Sequence, residues 1–225
     1  MVASPSRGLS FDRVVFFSDA VFAIAITLLV IDLRPPSVPG ADYEAALKAF
    51  FSHPSPFIAT AIGFLVVGSY WMSHRGIFAL LDRTDGLVIW ANLALLFWVA
   101  IQPFFTAAMA EHDPTRTSVV AYAACQVFAG LAQLGLWASA AWRGLLIPTA
   151  TPRKVRYVTV QLLRAPIVFG ISIPVTLLGG PVAGMASWTG IMVAALVIQL
   201  AFRAPRREAA ATANSADQLP VVPVR

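Results

Sequence analysis

The sequence predicts an all-α integral membrane protein with six transmembrane helices per subunit. Three observations carry that expectation. Of the 225 residues, 58% are hydrophobic and only 12% charged, about half the charged share of a soluble domain. Mean hydropathy is +0.75. The apolar residues are also gathered into runs long enough to cross a bilayer core, since about 20 helical residues at 1.5 Å each cover roughly 30 Å.

The first run, about 12–33, reads RVVFFSDAVFAIAITLLVIDL from Arg13 onward. It is too long for the apolar region of a signal peptide, and Asp19 interrupts it, so it is expected to stay in the protein. The second run, about 55–76, follows the proline-rich turn Pro35–Pro39 and the connector to Pro54 and Pro56. The third is about 86–109 and the fourth about 117–142. The fifth, about 153–178, opens with Thr151 at the N-cap position and Pro152 at the first helical position. Pro166 and Pro174 should kink it. The sixth is about 182–203. Residues 204–225 are rich in Ala, Pro and polar residues without an apolar period, and are expected to form a disordered cytoplasmic tail behind a six-helix transmembrane domain of residues 1–203.

The net charge of +5 does not argue for a nucleic-acid partner, because the basic residues sit in short loops where they orient a membrane protein. With six spans both termini share one side. That side holds Arg7, Arg13, Arg75, Arg83, Arg143, Arg153, Lys154, Arg156, Arg203, Arg206 and Arg207. The other holds Arg34, Lys48 and Arg116, diluted by Asp42, Glu44, Glu111 and Asp113. The asymmetry places both termini in the cytoplasm of a multi-pass plasma-membrane protein.

Enzyme and metal signatures are lacking. There is no HExxH, no GxSxG and no Walker loop. The three histidines, His53, His74 and His112, and the single Cys125 form no metal-ligand cluster, and one cysteine permits no intrachain disulfide. No catalytic residue, cofactor or bound metal is expected. The sequence TVGYG, the usual potassium-channel filter, does not occur.

The polar residues inside the spans need partners. On a helical wheel Ile24, Leu28 and Ile31 share one narrow face, with Phe17 and Ala20 extending it and Thr27 at its edge. Asp19 lies about 140° away, toward neighbouring helices. Arg13 falls on the stripe side of the same wheel. His74 and Asn92, near the cytoplasmic ends of the second and third spans, are placed to bond Asp19, Ser18 or Arg13. On pattern alone the aliphatic stripe reads as helix packing and the polar cluster as a structural network. Gln161 and Arg164 add polar groups to the fifth span, where Arg164 can snorkel or pair.

The run Arg13…Phe17-Ser18-Asp19-Ala-Val-Phe-Ala-Ile24-Ala-Ile-Thr27-Leu28-Leu resembles the opening helix of bacterial members of the transmembrane protein 175 potassium-channel family. The residues Tyr70-Trp71-x-x-His74-x-x-x-Phe78, Asp85, Asn92 and Pro103-Phe104-x-Thr106 extend the likeness over about 11–110. One departure is Gln102, where leucine is usual before the Pro-Phe pair. The resemblance implies a homotetrameric channel for potassium and other monovalent cations, with a central pore lined by the first helix and no pore loop. It implies a constriction at Ile24, with further rings at Leu28 and Ile31, and a selectivity role for Thr27. It also implies a buried network of Arg13, Ser18 and Asp19 with His74 and Asn92. Potassium then occupies the pore only in transit, and the aliphatic rings act as a hydrophobic gate of modest selectivity. The competing reading is a proton-permeable or proton-coupled secondary transporter using Arg13, Asp19 and His74 as a relay. It is weakened by the lack of paired broken helices in two related halves.

Overall fold

The computed structural model describes residues 8–31, 44, 48, 55–110, 114–190, 193, 197–198 and 200. Its helices are α1 (Gly8–Ile31), α2 (Ser55–Phe78), α3 (Gly86–Ala110), α4 (Arg116–Trp142), α5 (Pro152–Gly179) and the short α6 (Pro181–Ser187). The first five are each long and apolar enough to span a membrane. The sixth expected span, about 182–203, lies partly outside the described residues, and the expected tail, 204–225, entirely so.

Packing runs as a series. α1 lies against α2 and α3, α3 against α4, α4 against α5, and α6 against α5 and α4. The main core gathers Phe22, Ala25 and Leu29 of α1, Val67, Tyr70 and Ile77 of α2, Leu95 and Val99 of α3, and Leu136 and Trp137 of α4. A second cluster joins Tyr122 and Phe169 to Trp188 beyond α6.

Local chemistry fixes the helix ends. Thr115 and Ser118 close a capping box at the start of α4. Thr151 accepts from the Lys154 N–H at 3.3 Å, with Pro152 opening α5. Gly180, at φ +90°, takes a backbone conformation that favours glycine and ends α5, its N–H donating to the Thr176 carbonyl at 3.0 Å before α6 begins at Pro181. At one end of the bundle the α2–α3 and α4–α5 connections clasp each other. The Asp82 N–H donates to the Leu145 carbonyl at 2.7 Å, and the Ile147 N–H to the Leu80 carbonyl at 2.9 Å. Asp85 caps α3 by accepting from the Val88 N–H at 2.9 Å, and it also pairs with Arg143, which ends α4.

Candidate functional site

Beyond Asp19, α1 is apolar on nearly every side, with Thr27 the exception, so hydrophobicity alone does not choose the face it buries there. Its buried positions are Ser18, Phe22, Ala25 and Leu29, spaced four, three and four residues apart, which is one helical face. The other side is open in the subunit. Ile24 is 59% exposed, Leu28 39% and Ile31 60%. Thr27 is exposed too, its hydroxyl donating to the Ile24 carbonyl at 2.9 Å. The four residues therefore share a continuous surface that no other described part of the same subunit covers.

A string of hydrogen bonds crosses three helices behind the buried face. His74 Nε2 on α2 meets Asn92 Oδ1 on α3 at 2.9 Å. Asn92 Nδ2 donates to Ser18 Oγ on α1 at 2.9 Å, and Ser18 Oγ donates to the Val14 carbonyl at 2.8 Å. An amide oxygen only accepts, so His74 carries its proton on Nε2. All three side chains are buried at 1% exposure or less. The imidazole lies between the rings of Phe22 and Phe78, with centroids 5.4 and 4.4 Å away. Apolar packing and hydrogen bonding thus hold the same ring.

Asp19 takes a different partner. Its half-buried carboxylate accepts from Trp71 Nε1 at 2.8 Å, and the Arg75 guanidinium lies 5.9 Å above the same indole, within cation–π range. Arg13 is exposed, and no salt bridge or hydrogen bond joins it to Asp19 or His74 among the described residues. Ser18, Asn92 and His74 are thus brought together. Asp19 lies beside them on a separate bond, and Arg13 stands apart. Trp71 is the participant that sequence reasoning passed over as a donor. The usable signal was its place three residues before His74, on the same helix face, with an indole N–H that needs an acceptor when buried.

No group of three or more His, Cys, Asp or Glu that could hold a metal occurs among the described residues. In α5, Arg164 Nη1 donates to Gln161 Oε1 at 3.3 Å, and Gln161 Nε2 to the Tyr157 hydroxyl at 2.9 Å.

A family model described as the endosomal/lysosomal potassium channel TMEM175 matches residues 13–103, the part of the chain that holds the α1 stripe and the three-helix string. A potassium channel of Streptomyces collinus is 35% identical over 179 residues, covering 73% of this chain and 85% of that protein. A potassium channel of Chamaesiphon minutus is 32% identical over 170 residues, covering 74% and 83%. The crystal structure of a lysosomal potassium-selective channel TMEM175 homolog from Chamaesiphon minutus superposes with a TM-score of 0.69 at 27% identity. That superposition covers 85% of this chain and 97% of the other. Identity of this level over most of a relative's length, together with the shared fold, makes this chain a member of the TMEM175 potassium-channel family and a multi-pass membrane protein.

Proposed function

We propose that the chain is a potassium-permeable cation channel of the plasma membrane, working as a homotetramer with four copies of α1 around the pore and both termini in the cytoplasm. The observation that carries this reading is the exposed stripe of Ile24, Thr27, Leu28 and Ile31 on the side of α1 turned away from the other described helices of its subunit. One helix cannot enclose a pore, and the Phe-Ser-Asp segment occurs once per chain. Rotational symmetry supplies the other copies. The aliphatic rings at Ile24, Leu28 and Ile31 form the constriction and can close by dewetting. A passing cation sheds part of its hydration there. Potassium sheds water more easily than sodium, so the ring favours potassium modestly, and the Thr27 hydroxyls offer oxygens beside it.

The polar groups behind α1 hold it in place. The hydrogen bonds from His74 end on a backbone carbonyl, and Asp19 and Arg13 lie outside that string. This favours a scaffold over a proton relay. The test is purified protein in liposomes under a potassium gradient, with a parallel proton readout. Flux should follow the potassium gradient. Ile24→Asn should raise that flux several-fold and lower the preference for potassium over sodium. Unchanged flux in the variant would refute Ile24 as the constriction, and coupled uptake without potassium flux would refute the channel.

A further inference from the structure

Behind the three-helix string lies a second polar region that the pore does not use. Gln102 on α3 and Gln126 on α4 face each other at 1% and 0% exposure. Gln102 Nε2 donates to Gln126 Oε1 at 2.6 Å. Among the described residues that bond leaves Gln102 Oε1 buried and without a partner, and Gln126 Nε2 without a well-formed hydrogen bond, the Tyr122 hydroxyl being the polar group beside it. An apolar interior does not tolerate this cheaply, because each unmet buried polar atom costs about 1–3 kcal/mol.

The two orphans are complementary, one acceptor and one donor. Exchanging oxygen and nitrogen in both amides swaps them but still leaves one of each. Exchanging only one sets like atoms against each other. The surroundings are polar as well. The Tyr122 hydroxyl neighbours the Gln126 side chain, and the Tyr70 hydroxyl donates to the Gln126 carbonyl at 2.9 Å. Gln133 Nε2 donates to the Tyr70 carbonyl at 3.0 Å. Next to Gln102, Pro103 has no N–H to offer the Val99 carbonyl one turn back.

We propose that the Gln102–Gln126 pair holds a buried water molecule inside each subunit. The water donates to Gln102 Oε1 and accepts from Gln126 Nε2. A ligand that both donates and accepts is required, and this excludes a metal cation, which the Nε2 donor would repel, and a halide, which Oε1 would repel. The site offers the two to four polar partners that a buried water needs, with the Tyr122 hydroxyl as the third. The water ties α3 to α4 at the level where Pro103 interrupts the α3 ladder.

The test is an electron cryomicroscopy map of the intact channel at a resolution that shows other ordered waters. It is paired with X-ray radiolytic labelling in 18O water, which marks side chains beside bound water even when they are buried. The expected result is a density peak within hydrogen-bond distance of both amides, and 18O labelling of Tyr122 well above that of the equally buried Trp137. Both signals should be lost in Gln102→Leu/Gln126→Leu, which removes the orphans together and leaves an apolar contact. A dry site in a map that resolves other buried waters would overturn the proposal. So would Tyr122 labelling no higher than that of Trp137. If the double variant does not assemble, the wild-type map and labelling decide the question alone.

Discussion

Asn92→Ala is the sharpest test of the scaffold. Among the described residues the Asn92 amide is the group that joins His74 to Ser18, and it is 1% exposed. The substitution removes two interhelical bonds, worth on average about 0.6 kcal/mol each inside a membrane. The two former partners then fare differently. Ser18 Oγ still donates to the Val14 carbonyl at 2.8 Å, so it keeps a bond. His74 Nε2–H is left buried between two phenyl rings with no acceptor, at about 1–3 kcal/mol. The subunit should lose about 2–4 kcal/mol in all, read as a shift in the denaturant-driven unfolding of the purified channel. The control is His74→Phe/Asn92→Leu, which removes donor and acceptor together and places a ring where the imidazole already packs against Phe22 and Phe78. Its cost should fall short of the two single costs combined by about 1–3 kcal/mol. Two results would refute the reasoning. One is a loss from Asn92→Ala below about 0.5 kcal/mol, the range of an inert surface change. The other is strict additivity in the double variant.

Gly130→Ala should force α4 and α5 apart, because an added Cβ would meet Pro166 Cδ at 2.7 Å and its nitrogen at 3.2 Å. A rigid proline cannot yield, so a loss of about 1–3 kcal/mol is expected in the same unfolding assay. Gly170→Ala, whose Cβ would find Val127 Cγ2 only at 4.0 Å, should be tolerated. Asp85 sets an acid limit: the Val88 N–H and, after it, Arg143 hold its carboxyl below the ordinary range. A folded pKa below the unfolded one gives stability that is present above the unfolded value and lost as pH falls through the folded one, here below about pH 4. Wild type should therefore converge on Asp85→Asn in thermal unfolding only in that acid range, and parallel curves down to pH 3 would refute the assignment.

Five of the six expected spans were legible because length and apolarity decide them. The helices begin and end near the limits of the apolar runs, with Thr151 and Pro152 marking one start. Side-chain partners were less legible. Ser18, Asn92 and His74 stand out as polar residues in apolar runs, and three polar groups in hydrocarbon must find one another. Whether Asp19 joins them or, as observed, bonds Trp71 is a matter of rotamer and helix separation, and the wheel carries neither. Trp71 was hidden by its size, since a tryptophan in a membrane span reads first as apolar surface. Gln126 and Gln133, seven residues apart on one face of α4, carried a visible signal of a second polar region. It drew no weight in the sequence because neither belongs to the opening-helix motif.

In the function proposed above, the polar string is the part that aims the aliphatic stripe. In a bilayer, lipid tails are as apolar as leucine, so burying an apolar face gains little and a helix is turned by close packing and by hydrogen bonds. Hydrogen bonds are the more directional of the two. Ser18 and Ile24 are six residues apart, so their side chains point about 120° from each other. While Ser18 is tied to Asn92 and Asp19 to Trp71, the stripe has one orientation. A turn of one residue, about 100°, would strand the Asn92 amide and the Trp71 indole at about 1–3 kcal/mol each, several times thermal energy. Removing the ties should therefore loosen the rotation without unfolding the helix. With Thr27→Cys as a probe on the stripe and Leu29→Cys on the buried face, a water-soluble thiol reagent should modify only the first in an otherwise native channel. In the Ser18→Ala/Trp71→Phe background the Leu29→Cys site should become reactive as well, while the buried Cys125 reports whether the subunit has stayed folded. Should the Leu29→Cys site stay protected in that background, apolar packing alone would be sufficient to orient α1, and the string would have no part in aiming the stripe.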